Sequence, residues 1–202
     1  MKKVIISLIL VIFAYAQDNI KLAYYKSYNY EKMLDYKDAI KTLIPIYKKY
    51  PNDYTLNLRL GYLFFLNKNY NNSISHYTKA SNILPYSIEP KLGLIRDYLK
   101  MGKSDNALTI ANSIIKIDYY NYYGNLYLLK ALKLKNNYIQ AKEVANKILT
   151  LYPTDVLFLL ELAKITYIDN PKDAKIIFKN ILILDPNNIT AKEYLNKWKF
   201  FY

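Results

Sequence analysis

The chain lacks cysteine altogether and has only four glycines and one histidine among its 202 residues. Without cysteine neither a disulfide nor a cysteine-linked lipid anchor can form, so packing alone must hold the core. A lone histidine cannot supply a metal site of ordinary ligand number, so we expect no metal and interpret His76 as a surface or interhelical side chain. Four glycines provide no glycine-rich loop to hold a phosphate.

Signatures of catalysis are equally scarce. The sequence has no nucleophile elbow or other local signature of a serine hydrolase. Acidic pairs such as Glu89 and Asp97 are isolated and do not indicate a glycosidase. We therefore predict that the protein is not an enzyme and that it needs no cofactor.

The first 16 residues have the three parts of a secretory signal peptide. Lys2 and Lys3 are followed by the apolar residues 4–13 and by Ala14-Tyr15-Ala16, a small-x-small cleavage pattern. We predict cleavage after Ala16 and a periplasmic or secreted protein. The alternative is an uncleaved anchor, although the apolar run is shorter than the roughly 20 residues that a spanning helix needs. No second apolar run reaches that length, so we expect no transmembrane segment in the mature chain.

The chain is strongly basic. Loss of Lys2 and Lys3 with the first 16 residues would lower the formal charge only from +13 to +11. This charge favours an acidic partner, either a peptide or an anionic glycan or lipid. Nucleic acid is not expected, because export separates the protein from it. Genome base composition is a competing explanation, since lysine, asparagine, isoleucine and tyrosine all have A/T-rich codons.

Turn and helix signals recur about every 34 residues. Prolines stand at 51, 85, 153 and 186, and Tyr119 occupies the place of the missing one. Apolar residues recur at three- and four-residue steps between short polar breaks, which predicts two amphipathic helices in each period. A small residue, where two helix backbones can approach closely, recurs at Ala39, Ser73, Ala107, Ala141 and Ala174.

These periods resemble tetratricopeptide repeats. The best match, residues 54–87, carries Leu60-Gly61, Phe64, Tyr70, Ser73, Tyr77, Ala80 and Pro85 at the spacing of that family. The resemblance implies an all-α fold, a right-handed α-α superhelix (solenoid) of about five helix-turn-helix repeats. We expect a repeat domain over residues 17–202, with units at about 20–53, 54–87, 88–121, 122–155 and 156–188 and a capping helix at 189–202.

Several positions depart from the family pattern. The third repeat lacks its proline, the fifth is one residue short in its internal turn, and Pro45 should kink or loosen its helix. The aromatic ending, which includes Trp198, is interpreted as part of the cap. It could instead imitate the last strand of an outer-membrane barrel, but no alternating pattern precedes it. The aromatic residue usual early in the first helix is replaced by Ala23, Asn57, Lys91, Asn125 and Leu159.

In repeats of this type the first helix of each pair lines a groove that receives an extended partner segment. One groove position, followed through the chain, is aromatic in the N-terminal half and basic in the C-terminal half. The candidate groove residues are Tyr24, Tyr25, Tyr28, Arg59, Tyr62, Phe65, Arg96, Lys100, Tyr127, Lys130, Lys133 and Lys164.

The leading hypothesis is a scaffold or adaptor of the cell envelope that binds an extended acidic protein segment in this groove. Packing tyrosines and solvated lysines would give the same pattern without any ligand. A second hypothesis is a protein that binds cell-wall or exopolysaccharide glycans, with Tyr24, Tyr28 and Tyr62 stacking on sugars. A third is a regulatory subunit of an enzyme. The carboxylate clamp of chaperone-binding relatives is not expected, because Tyr24 and Tyr28 replace its lysine and asparagine.

Overall fold

The computed structural model describes residues 19–197, so the predicted signal peptide, Trp198 and the remaining aromatic ending lie outside the described residues. Every regular element within that range is an α-helix. None of these helices is both long and apolar enough to cross a membrane. The helices are α1 (residues 19–32), α2 (Tyr36–Lys49), α3 (Tyr54–Leu66), α4 (Tyr70–Ile83), α5 (Glu89–Lys100), α6 (Ser104–Ile117), α7 (Tyr122–Leu134), α8 (Tyr138–Leu151), α9 (Val156–Asp169), α10 (Pro171–Leu184) and α11 (Ile189–Lys197).

Most of these helices are preceded by an aspartate or asparagine whose side chain accepts a hydrogen bond from a backbone N–H of the first turn. The Asp53 carboxylate, for example, accepts a hydrogen bond of 2.7 Å from the Leu56 backbone N–H and so caps α3. The turn inside each of the first four repeats contains one residue with positive φ: Leu34, Lys68, Gly102 and Asn136. The fifth repeat is one residue short and has no such turn, because Asn170 both ends α9 and caps α10.

The described residues form two compact parts, the first ending at Asp97 and the second beginning at Tyr98. In the first part, Leu43 and Leu60 belong to a cluster of fully buried side chains contributed by α2 and α3. In the second part, Phe178 of α10 is fully buried and stacks at 4.6 Å on Tyr194 of α11. The small residues at 39, 73, 107, 141 and 174 are all fully buried. The predicted all-α fold of helix-turn-helix repeats with an added C-terminal helix is confirmed.

Pro45 does not shorten its helix, contrary to the expectation of a loosened end. α2 has 14 residues and continues through Pro45 to Lys49. The Tyr50 N–H closes the last turn by donating to the Ile46 carbonyl at 2.8 Å. Proline has no N–H and so removes one backbone bond, but the helix is continuous on both sides of Pro45.

At the first-helix position where the family usually has an aromatic residue, this chain has polar residues in three repeats. Their side chains form hydrogen bonds to the turns between repeats. The Asn57 amide donates to the Pro51 carbonyl at 2.9 Å, and the Asn125 amide donates to the Tyr119 carbonyl at 3.0 Å. The Lys91 ammonium donates to Pro85 in the same way. Asn57 and Asn125 are fully buried, so these departures from the family pattern satisfy turn carbonyls that the core would otherwise leave unpaired.

Candidate functional site

Five of the candidate residues form an aromatic site in the first part of the chain: Tyr28, Arg59, Tyr62, Phe65 and Arg96. The Arg59 guanidinium lies 3.9 Å from the centroid of the Tyr28 ring. The Arg96 guanidinium lies 4.9 Å from the Phe65 ring and 5.9 Å from the Tyr62 ring. Both arginines of the chain therefore lie against aromatic rings of other candidate groove residues.

Each of these arginines has polar partners that fix its position. Arg59 is buried, forms an ion pair with Glu31 and donates to the Ser27 hydroxyl at 3.2 Å. Arg96 donates to the Tyr77 hydroxyl at 3.1 Å. Neither Glu31 nor Tyr77 is among the predicted groove residues. Because these partners already neutralise or hold the two guanidinium groups, the aromatic site offers flat rings more than free positive charge.

The tyrosines of the first part differ in their exposure. Tyr25 and Tyr28 are exposed, whereas Tyr24 is half-buried. Burial, followed by the charge of Asp53, raises the pKa of Tyr24 to about 12. Burial, followed by the charge of Glu31, also raises the pKa of Tyr62. Tyr24 and Tyr62 therefore keep their phenol protons at neutral pH.

The second part holds a lysine cluster, which consists of Lys130, Lys133 and Lys164 around Glu161. Lys130 and Lys133 belong to α7, whereas Glu161 and Lys164 belong to α9. The Lys133 ammonium pairs with one carboxylate oxygen of Glu161, and the Lys164 ammonium lies 3.5 Å from the other. Three positive charges against one negative charge leave the cluster at +2.

Glu161 is ionised because of its lysine neighbours. Its side chain is 8% exposed. Burial alone would raise the pKa of Glu161, but the hydrogen bond and charge of Lys133, together with the charges of Lys164 and Lys130, hold that pKa below its usual value. The buried carboxylate thus holds Lys133 and Lys164 in place while only partly neutralising the charge of the cluster.

The Glu31–Arg59 and Lys133–Glu161 pairs occupy the same two positions of the repeat, with their charges reversed. Each pair spans 28 residues, and the second pair lies three 34-residue periods after the first. Neither glutamate is among the predicted groove residues, although the shared spacing of 28 residues could have revealed the pairs. An acidic residue facing a basic one across successive repeats is therefore a feature of both parts of the chain.

The remaining candidates lie apart from these contacts. Lys100 is exposed at the end of α5 and has no ion pair or ring contact among the described residues. Tyr127 is half-buried, with the Lys130 ammonium 5.9 Å from its ring centroid. His76 lies between helices, where its Nδ1 is 3.0 Å from Asn57 Oδ1 and its ring stacks on Phe64 at 5.3 Å. Within residues 19–197 no three acidic or imidazole side chains are grouped to hold a metal ion.

The sequence matches no protein-family model and no curated protein. The fold, however, is similar to several solved structures. A tetratricopeptide-repeat protein from Parabacteroides merdae aligns over 91% of this chain and 73% of its own, with a TM-score of 0.79 and 19% identity. MamA from Desulfovibrio magneticus RS-1 aligns over 85% of this chain and 98% of its own, with a TM-score of 0.75 and 16% identity.

A third solved structure is YrrB, described as a tetratricopeptide-repeat protein with an unusual peptide-binding site. It aligns over 87% of this chain and 89% of its own, with a TM-score of 0.68 and 11% identity. At such identities the likeness concerns the fold alone. The 34-residue period, the paired helices and these three structures agree, and the chain has the tetratricopeptide-repeat fold.

Proposed function

We propose that this protein is a non-enzymatic interaction scaffold of the cell envelope, which holds an extended acidic segment of a protein partner against the first helices of its repeats. The observation that carries the proposal is the lysine cluster, where Lys133 and Lys164 contact one buried carboxylate and the charge of Lys130 also acts on it. The similar fold of YrrB, whose description names a peptide-binding site, supports a peptide ligand.

The lysine cluster suits an acidic ligand because its charges are held before the ligand arrives. A free lysine loses side-chain entropy when it binds a carboxylate. Lys133 and Lys164 have already lost part of that freedom to Glu161. Lys130 has no ion pair of its own among the described residues, so its ammonium is free to meet an incoming carboxylate. The remaining charge of +2 also raises the rate at which an anionic segment associates.

The aromatic site complements this charge with a surface for apolar or planar side chains. Tyr28 is 49% exposed, and its ring lies against the buried Arg59 guanidinium, which restrains it. A restrained tyrosine supplies a large contact area at little entropic cost and adds a hydroxyl for hydrogen bonding. Aromatic or apolar residues of a partner segment would therefore find a contact surface in the first part of the chain.

The proposed location rests on the signal-peptide pattern of residues 1–16. Export would place the basic surface among anionic envelope components and exposed segments of envelope proteins. Fractionation of the native cells, followed by N-terminal sequencing, tests this directly. We expect a protein in the envelope or outside the cell that begins at Gln17, and a cytoplasmic protein that retains Met1 would contradict the location.

Neutralising the lysine cluster is expected to weaken the binding of an acidic peptide. The double variant Lys130→Gln/Lys164→Gln keeps the Lys133–Glu161 pair and so spares the buried carboxylate. A peptide of alternating glutamate and alanine is a suitable probe, titrated at low salt by isothermal calorimetry. We expect roughly tenfold weaker binding than for the unchanged protein, since two of the three ammonium groups of the lysine cluster are lost.

The matched control is Lys37→Gln/Lys41→Gln, which removes the same charge from two exposed positions of α2. It should change the affinity by no more than about twofold, because screened charges distant from the ligand contribute little. An equal loss in both double variants would show that net charge alone attracts the peptide, and the proposed site would be wrong. Affinity capture from the native envelope with the same variants would then identify the natural partner.

A further inference from the structure

A cavity of about 280 Å³ lies between α1, the end of α2 and the start of α3. Six residues line it: Ile20, Tyr24, Ile46, Tyr50, Asp53 and Leu56. Tyr50 and Asp53 are exposed, so the cavity is open to solvent on their side. None of the six residues belongs to the aromatic site or to the lysine cluster.

The fourth repeat has similar walls, but one of its own side chains fills the space between them. Three of the six wall positions carry the identical residue three 34-residue periods later: Ile148, Tyr152 and Asp155. The position of Ile20, however, carries Tyr122. The Tyr122 hydroxyl donates to Asp155 Oδ2 at 2.9 Å. The Tyr122 ring also packs edge-on against Phe158, which stands at the position of Leu56, with the ring centroids 5.3 Å apart.

The first repeat lacks the phenol that makes this contact. In the second repeat the position is again a tyrosine, and the Tyr54 hydroxyl lies 2.8 Å from Ser87 Oγ in the turn before the next first helix. Ile20 has no hydroxyl, and Asp53 Oδ2 has no hydrogen-bond partner among the described residues, whereas Oδ1 caps α3. Tyr24 lines the cavity, but no hydrogen bond joins it to Asp53 within that part of the chain. The cavity therefore has the shape and the acceptor for a phenol that the repeat itself does not supply.

We propose that this cavity binds the side chain of a tyrosine from a partner polypeptide, with the phenol O–H donating to Asp53. Pockets for drug-sized ligands have volumes of about 300–1,000 Å³, so a smaller cavity suits a single side chain. Ile20, Ile46 and Leu56 give it apolar walls for the ring. The Asp53 carboxylate accepts a hydrogen bond from the hydroxyl. The tyrosine of the partner would take the place that Tyr122 occupies in the fourth repeat.

Tyrosine binding is tested by NMR on the full mature chain with labelled isoleucine methyl groups. The probes are N-acetyl-tyrosinamide and N-acetyl-phenylalaninamide, which resemble residues within a polypeptide and carry no charge. We expect the tyrosine probe to shift the methyl signals of Ile20 and Ile46 in a saturable way at millimolar concentrations. The phenylalanine probe should bind roughly fivefold more weakly, since it lacks the hydroxyl that donates to Asp53.

The variant Ile20→Tyr gives the first repeat the ring that fills the fourth. It should bind the tyrosine probe roughly tenfold more weakly, as read from the Ile46 signal, because the space is already occupied. It should also unfold at the same or a higher urea concentration, so the loss cannot be attributed to unfolding. The control Ile139→Tyr adds a tyrosine at a position of α8 that is 76% exposed, and it should bind unchanged. Asp53→Asn keeps an oxygen to cap α3 but should reduce the preference for the tyrosine probe.

The tyrosine site is overturned if the tyrosine probe shifts neither methyl signal, or if the phenylalanine probe binds equally well. It is also overturned if Ile20→Tyr binds as tightly as the unchanged protein, or if Ile139→Tyr loses as much affinity as Ile20→Tyr. The Lys130→Gln/Lys164→Gln variant should keep full binding of the tyrosine probe. The tyrosine site and the proposed acidic-peptide site can therefore fail separately.

Discussion

Replacement of Gly93 by alanine is expected to destabilise the protein by about 2–3 kcal/mol, although alanine favours helices by about 1 kcal/mol over glycine. The Tyr77 ring is 2% exposed and packs against the backbone of Gly93 and Gly61. A methyl group on Gly93 would lie 2.5 Å from two atoms of that ring. Urea unfolding followed by circular dichroism measures the difference as a lower midpoint.

The control is Gly93→Ala in the Tyr77→Leu variant, which lacks the large ring of Tyr77. At the position of Tyr77 the first, third and fourth repeats carry Leu43, Ala111 and Ala145, whereas the fifth carries Phe178. Tyr77→Leu alone should destabilise the protein, because it leaves a cavity and removes a partner of Arg96. Adding Gly93→Ala to Tyr77→Leu should cost little or even stabilise. If Gly93→Ala costs the same in both backgrounds, contact with the Tyr77 ring is not the cause.

Replacement of Asp97 by asparagine is expected to stabilise the protein by about 3 kcal/mol at pH 7 and to have little effect below pH 4. Asp97 is fully buried, and burial raises its pKa from 3.8 to about 6 despite the Ser73 hydroxyl and the charge of Arg96. Each pKa unit corresponds to about 1.4 kcal/mol. Urea unfolding at a series of pH values from 4 to 7 measures the effect.

The geometry around Asp97 explains why a neutral side chain fits better. Ser73 Oγ lies 2.6 Å from Asp97 Oδ2 and 2.8 Å from the Gly61 carbonyl, but its single proton can serve only one of them. A protonated Asp97, or an asparagine, donates to Ser73, which then donates to Gly61. The ionised carboxylate breaks this chain, and its Oδ1 has no partner among the described residues.

The sign of the pH dependence follows from the raised pKa of Asp97. The folded state holds this proton more tightly than the unfolded chain, so the contribution of Asp97 to stability is greatest below pH 3.8 and is lost as the pH rises through about 6. His76 acts in the opposite direction, since burial, with the charge of Lys79, lowers its pKa from 6.5 to about 4. The contribution of His76 to stability is full above pH 6.5 and is lost as the pH falls through about 4.

The two groups therefore oppose each other between about pH 4 and pH 6.5. The unchanged protein should show a shallow pH dependence in this range, whereas Asp97→Asn should lose stability steadily as the pH falls. Glu143→Gln, at an exposed position of α8, is the control and should match the unchanged protein throughout. Parallel curves for Asp97→Asn and the unchanged protein would contradict a raised pKa for Asp97.

Asp97 also shows where the repeat pattern predicts the fold and where it does not. The positions 34 residues before and after it are Leu63 and Ala131, and both are fully buried. Ser73 likewise stands where the other repeats have alanine. Periodicity predicted that these positions lie in the core. It could not predict that the polar residues Ser73 and Asp97, 24 residues apart, contact each other. The repeat pattern assigns each residue to a helix face but does not assign it a partner.

The sequence by itself determined the helical pairs and the close approach of their small residues, because a 34-residue period of apolar and turn residues permits one arrangement of local structure. It also determined that Tyr28, Tyr62 and Arg96 occupy the same position in the first helix of successive repeats. Only the tertiary structure decided which charges remain free. The ion pairs of Arg59 with Glu31 and of Lys133 with Glu161 form between helices of successive repeats, where packing sets the distance. Such pairs depend on the rotamers of long side chains, which the helical period leaves undetermined.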